Sequence, residues 1–170
     1  MNDVRRVLLI LLAGMVALFI QGTLLKSIFP QFVMPNLVLS LIVFLAFYEI
    51  SPLGAGLAFL LGLQLDMYGG LMLGPWAGSF VAVFALFAFL SQRLFVDTPV
   101  AAGLIALVAC VLADFIYLIL IYEVRPFDGF MLKTVLLESL LSAVCAPVVL
   151  KIMRRMNNAL DRGSRSSAIR

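Results

Sequence analysis

The stretch from Gly54 to Gly78, GAGLAFLLGLQLDMYGGLMLGPWAG, decides the fold of this chain. It holds two apolar segments that meet near Asp66. Before that aspartate small residues recur at every fourth position, so on a helix they share one narrow face; they are Gly54, Ala58 and Gly62. A second stripe of small residues follows at Gly70, Gly74, Gly78 and Ala82. Since small side chains let helix backbones approach closely in lipid, we interpret the stretch as a tightly packed helical hairpin.

The composition of the chain is that of a membrane protein. Hydrophobic residues make up 64% of it and charged residues only 12%, and the mean hydropathy is +1.16. These values are far from those of soluble globular domains and are typical of a polytopic membrane protein. A length of 170 residues leaves room for about six spans of roughly 20 residues. We therefore predict an all-α bundle with no separate soluble domain.

Prolines and charges divide the chain into six apolar segments. The first follows Arg5 and Arg6 and lacks a small-residue cleavage site, so we predict a retained span and not a signal peptide. Pro52 is read as a turn, although a kink would also fit and would give five spans. The predicted membrane domain covers residues 1–155 and is followed by a basic tail at 156–170. Its spans are near 7–25, 37–50, 53–68, 71–91, 99–122 and 130–150.

Charge bias decides between six spans and five. With six spans both termini share one side, which carries nine basic residues, whereas the other side carries Lys26, Arg125 and Lys133. The positive-inside rule then predicts that both termini are cytoplasmic. The tail is either a solvated stop after the last span or a weak contact with anionic lipid headgroups. The nine basic residues are Arg5, Arg6, Arg93, Lys151, Arg154, Arg155, Arg162, Arg165 and Arg170.

Four charged residues inside or next to the spans form a predicted polar cluster. Asp66, Asp114, Lys133 and Glu138 fall in the outer half of the six-span bundle, together with Gln21 and Gln64. Charges at membrane depth are costly and usually face a partner or a wet cavity. These groups either satisfy one another and fix helix register, with Asp66 as an end cap, or they line an outward-facing cavity for a ligand or a partner's polar group.

The sequence offers little for catalysis. It has no histidine, and its two cysteines, Cys110 and Cys145, lie in apolar runs without metal-ligand spacing. Phosphate-binding glycine loops and nucleic-acid-binding patches are missing as well. We predict no enzymatic activity, no catalytic residue, no metal, no cofactor and no nucleic-acid partner.

Several motif residues resemble those of a known family. Pro35 and Asn36 open the second span, and Gly62 and Asp66 are followed by a glycine pair and then by Leu73 and Gly74. This pattern, the length and the basic ends are similar to the rod shape-determining protein MreD. The motif residues, including Gly70, carry over chiefly as structural positions. Gln64 stands where the family tends to be apolar.

The resemblance implies a function as well as a fold. It implies a multi-pass subunit of the bacterial inner membrane that serves the cell elongation machinery without catalysing a reaction. Such a subunit binds MreC, and through it connects MreB filaments with the peptidoglycan polymerase and transpeptidase. The fold it implies is similar to the six-helix S components of energy-coupling-factor transporters.

We expect MreC to dock its single membrane helix, or the segment next to it, on a glycine-striped face, while membrane lipid covers the remaining sides. The residues of that face are Gly54, Ala58, Gly62, Gly70, Gly74 and Gly78. Two other functions remain open. A small-molecule-binding S component or small transporter subunit would have the same bundle, but it needs convergent polar groups, in which the outer loops are poor. A lipid scramblase would also use carboxylates inside the membrane.

Overall fold

The structure, a computed structural model, describes residues 2–25, 27, 34–69, 72–93, 98–121 and 129–167. Within these ranges all regular elements are helical and none is a strand. Three stretches, Val4–Leu25, Pro99–Leu120 and Leu132–Ala159, are long and apolar enough to cross a bilayer, and two shorter apolar helices accompany them. The protein is therefore an all-α helical membrane protein, as the composition predicts.

Six helices overlap the six predicted segments. They are α1 (Asn2–Ile20, extended by a π-helical turn at Gln21–Leu25), α2 (Leu37–Tyr48), α3 (Pro52–Gly69), α4 (Pro75–Ser91), α5 (Pro99–Leu120) and α6 (Gly129–Ser167). The last helix continues without a break past residue 155. The basic segment that follows residue 155 is therefore helical as far as Ser167, and the boundary of the membrane domain near residue 155 stays a prediction.

Pro52 marks a turn and not a kink. α2 ends at Tyr48, and the backbone N–H of Ser51 donates to the carbonyl of Glu49 at 2.9 Å. The Ser51 hydroxyl then accepts from the backbone N–H of Gly54 at 3.2 Å. Proline suits the first position of a helix because the N–H it lacks has no intrahelical partner there. The two apolar runs around Pro52 are therefore separate helices.

α2 is the centre of the bundle. Each residue from Val38 to Ala46 is buried, and the helix packs against all five others. A helix that is apolar on every side belongs in such a position. Its 12 residues span about 18 Å, less than the roughly 30 Å of a hydrocarbon core. Six crossings of the membrane therefore remain a prediction.

Two contacts define one end of the bundle, which we call the basic end. Arg6 forms an ion pair with Glu49 at 3.6 Å, and the guanidinium of Arg154 lies 5.2 Å from the ring centre of Tyr48. The start of α1, the end of α2 and the cationic part of α6 therefore meet there. The C-terminal end of α3 and the N-terminal end of α4 lie away from the basic end.

α3 and α4 form the tight hairpin that the spacing of small residues predicts. A Cβ placed on Gly62 would lie 2.7 Å from the backbone nitrogen of Ala77 and 2.8 Å from the carbonyl oxygen of Trp76. Ala58 and Ala77 are fully buried. Because Gly62 has no side chain, the two backbones touch directly.

Candidate functional site

Asp66 holds the hairpin together through its carboxylate. One oxygen, Oδ2, accepts from the backbone N–H groups of Gly74 at 2.9 Å and Ala77 at 3.2 Å, and Oδ1 accepts from that of Trp76 at 3.0 Å. Only 3% of the residue is exposed. The first N–H groups of a helix have no partner within it and carry partial positive charge, so a carboxylate there is favourable. Asp66, the last buried residue of α3, thus caps α4.

The turn before α4 has the geometry that this cap requires. Gly74, at the N-cap, has φ of +118°, and Pro75 follows at the start of the helix. Residues that carry a side chain rarely adopt such a backbone conformation, so this position requires glycine. With no side chain of its own, Gly74 leaves the capping to Asp66. The ring of Trp76 stacks on Tyr117 at 4.3 Å, which joins the capped turn to α5.

A second acidic centre lies between α5 and α6. Asp114 is 4% exposed, and its Oδ2 accepts from the thiol of Cys110 at 3.7 Å. Glu138 lies on α6, four residues before Ser142. The same thiol lies 3.7 Å from the hydroxyl of Ser142, which donates to the carbonyl of Glu138 at 2.8 Å. Cys110 and Ser142 thus link the turn of α5 that carries Asp114 to the turn of α6 that carries Glu138.

This centre also supports the start of α2. Ser142 accepts from the backbone N–H of Asn36 at 2.7 Å, and the Asn36 side chain accepts from the N–H of Leu39 at 3.1 Å. The amide of Gln21 donates to the carbonyl of Pro35 at 2.7 Å. Cys110 lies midway along α5, so the backbone of Pro35 and Asn36 is at the depth of the helix centre. Non-helical backbone is tolerated at membrane depth only where protein satisfies it.

The structure separates the predicted polar cluster into two parts. Asp66 belongs to the hairpin cap, and no hydrogen bond or ion pair in the described part of the chain joins it to Asp114 or Glu138. Lys133 is exposed and forms no ion pair with these three acids. Its inclusion in the cluster is therefore wrong, because its turn of α6 leaves the side chain outside the bundle. Gln64 is partly buried on α3 and takes no part in either centre.

The glycine-striped face is divided as well. Gly54, Ala58 and Gly62 are buried inside the bundle, so the prediction that they form a face for a partner is wrong. Gly74 shapes the turn, and Gly70 lies outside the described residues, as do Lys26 and Arg125.

The last glycine of the predicted face, Gly78, is exposed on α4. With Ala82 and Ala85, which are also exposed and lie on the same side of α4, it forms what we call the α4 small-residue edge.

Sequence reasoning missed Ser142, Asn36 and Cys110 as members of one network. One signal was available, since Ser142 follows Glu138 by four residues and therefore shares its helix face. The contact with Asn36 spans 106 residues of sequence and depends on how α2 enters the bundle. No spacing rule predicts such a contact.

The two centres differ in what they can do chemically. The Asp66 carboxylate is engaged by three backbone donors. Asp114 and Glu138 lie on facing helices that are joined through Cys110 and Ser142. Among the described residues, no group of three His, Cys, Asp or Glu side chains is arranged to hold a metal ion. Both centres connect helices, which is a structural role.

Comparisons of the chain with protein-family models, with curated proteins and with solved structures found no match.

Proposed function

We propose that this protein is a non-catalytic, MreD-like subunit of the bacterial cell elongation machinery in the inner membrane. It binds MreC and so helps to couple cytoplasmic MreB filaments to the peptidoglycan polymerase and transpeptidase. The observation that carries this proposal is that the motif residues shared with the family have structural roles that depend on one another. Gly62, Asp66 and Gly74 together build one capped hairpin, and Pro35 and Asn36 together build the start of the central helix.

Charge supports an arrangement with both termini in the cytoplasm. Arg5 and Arg6 begin α1, Arg93 follows α4, and the end of α6 is rich in basic residues. With six crossings, all of these lie on one side, which the positive-inside rule assigns to the cytoplasm. Three basic residues, Lys26, Arg125 and Lys133, are left for the other side.

The partner helix docks on the α4 small-residue edge. In lipid, helices associate through close backbone approach and van der Waals packing, so they favour surfaces of small residues. Gly78, Ala82 and Ala85 supply such a surface on an exposed side of α4. Long apolar side chains border this edge on α4, at Leu86 and Phe89, and are exposed on other helices, for example at Leu104 and Val144, where they face lipid.

The proposal is tested in a rod-shaped bacterium that carries this gene. Depletion of the protein is expected to produce rounded cells, and MreC is expected to co-purify with the tagged protein after mild solubilisation. A multi-pass membrane protein of similar size, with the same tag, is the control. Unchanged cell shape on depletion, together with MreC recovery no higher than that of the control, would overturn the proposal.

A further inference from the structure

An open apolar groove runs along the bundle between α1 and α6. Its volume is about 590 Å³, and Leu41 of α2 contributes to its floor. The floor is buried, with Ala17 of α1 and Met153 of α6 beside Leu41. The rims are exposed. They carry long side chains, among them Leu8, Leu12 and Ile152.

One charged residue lines the groove, and it lies at the basic end. This residue, Arg5, is exposed, and no ion pair involving it occurs among the side chains that the structure describes. Its neighbour Arg6 is instead paired with Glu49 at 3.6 Å. An arginine guanidinium presents a planar set of donors that matches a phosphate group. The mouth of the groove is therefore complementary to a phosphate, and the remainder to hydrocarbon.

The dimensions of the groove fit one leaflet of a bilayer. From Arg5 to Ile20, both of which line the groove, α1 rises about 22 Å. One leaflet together with its headgroup region takes about half of a bilayer of roughly 40–45 Å. A lipid with its phosphate at Arg5 therefore places its acyl chains beside Leu8, Leu12 and Val16.

The shape of the rims favours an acyl chain over a protein helix. Helices pack in lipid through small residues that bring backbones together, whereas Leu8, Leu12 and Ile152 hold a rigid helix away from the floor. Flexible hydrocarbon chains can pass between such side chains. The surface suited to a helix, the α4 small-residue edge, is on a different element.

From this complementarity of charge, length and shape we infer that the groove between α1 and α6 binds an anionic phospholipid from the leaflet next to Arg5. The phosphate contacts Arg5 and the acyl chains lie along the groove. This site requires only that the bundle is embedded in a membrane, so it does not depend on the proposed function.

Native mass spectrometry of the full-length protein in detergent tests the site. The protein is mixed with equal amounts of phosphatidylglycerol and phosphatidylcholine that carry the same acyl chains, and the ratio of bound lipids is measured. The wild type is expected to favour phosphatidylglycerol several-fold. Arg5→Gln is expected to abolish this preference, whereas Arg93→Gln, which removes another exposed arginine, keeps it. Ala13→Leu, which narrows the groove, is expected to reduce binding of both lipids.

Three results would overturn the inference. The first is an equal preference in the wild type and in Arg5→Gln. The second is an equal loss in Arg5→Gln and Arg93→Gln, since the effect would then be one of general surface charge. The third is unchanged lipid binding in Ala13→Leu. Loss of a bound protein partner from this variant would show that a protein, and not a lipid, occupies the groove.

Discussion

The carboxylate of Asp66 accepts a hydrogen bond from the backbone N–H of Gly74 at 2.9 Å, across the turn between α3 and α4. The same carboxylate accepts from Trp76 and Ala77, so one side chain satisfies three donors at the start of α4. The end of one helix is thereby fixed to the beginning of the next. This capped hairpin is the local structure that the family-like motif encodes.

Asp66→Asn is expected to destabilise the hairpin. The amide keeps the shape of the side chain but replaces one acceptor oxygen by a donor that faces a backbone N–H. The loss is expected to be about 1–3 kcal/mol because a buried donor is left without a partner. The midpoint of thermal unfolding in detergent, followed by fluorescence of Trp76, the single tryptophan of the chain, measures it. Glu49→Gln is the control, since Glu49 forms a partly exposed ion pair, which contributes at most about 1 kcal/mol. Equal midpoints for the two variants would contradict the capping role.

Replacing Gly74 is expected to lower the stability of the protein because of backbone strain and not because of steric crowding. A Cβ at this position meets no atom within 4 Å, but φ is +118°. Gly74→Ala and Gly74→Leu are therefore expected to lower the unfolding midpoint by similar amounts, equivalent to about 1–3 kcal/mol of backbone strain. If the leucine variant were much less stable than the alanine variant, crowding would be the cause and this explanation would be wrong.

Replacing Gly62 is expected to lower stability through steric crowding. A Cβ there meets the backbone of Trp76 and Ala77, which cannot rotate away. Gly62→Ala is expected to lower stability by about 1–3 kcal/mol through overpacking, and the yield of monodisperse protein in size-exclusion chromatography checks it. Gly56→Ala is the matched control in the same helix, because a Cβ at Gly56 meets nothing within 4 Å. Equal yields for the two variants would show that α3 and α4 do not pack as described.

Ser142→Ala is expected to disturb the centre between α5 and α6. It leaves the backbone N–H of Asn36 buried and without an acceptor, which costs about 1–3 kcal/mol. Ser139→Ala is the control on the same helix, since Ser139 is equally buried, but its hydroxyl donates to the carbonyl of Val135 and faces Cys110 instead of the backbone of α2. A comparison of their thermal unfolding midpoints tests the role of Ser142. It is contradicted if Ser139→Ala is as destabilising as Ser142→Ala.

Much of the fold follows from the sequence because its signals are local. Apolar runs and prolines predict six helical segments, and the four-residue spacing of Gly54, Ala58 and Gly62 predicts the hairpin. Which side of that hairpin stays exposed depends on the packing of four further helices, so the spacing alone does not show that Gly54, Ala58 and Gly62 are internal. Depth estimates predict that Asp114 and Glu138 meet, but they cannot show that Lys133 turns outward. The support of Asn36 by Ser142 depends on the short, buried helix α2.

The central claim is that the α4 small-residue edge docks the membrane helix of MreC, and recovery of MreC with a Gly78→Leu variant tests it most directly. Gly56→Leu is the control, because Gly56 is an exposed helical glycine outside this edge. We expect Gly78→Leu to remain folded and to recover about tenfold less MreC, as a loss of about 1.4 kcal/mol of binding free energy would produce, while Gly56→Leu recovers as much as the wild type. Full recovery of MreC with Gly78→Leu, at wild-type yield of the variant itself, would contradict the claim.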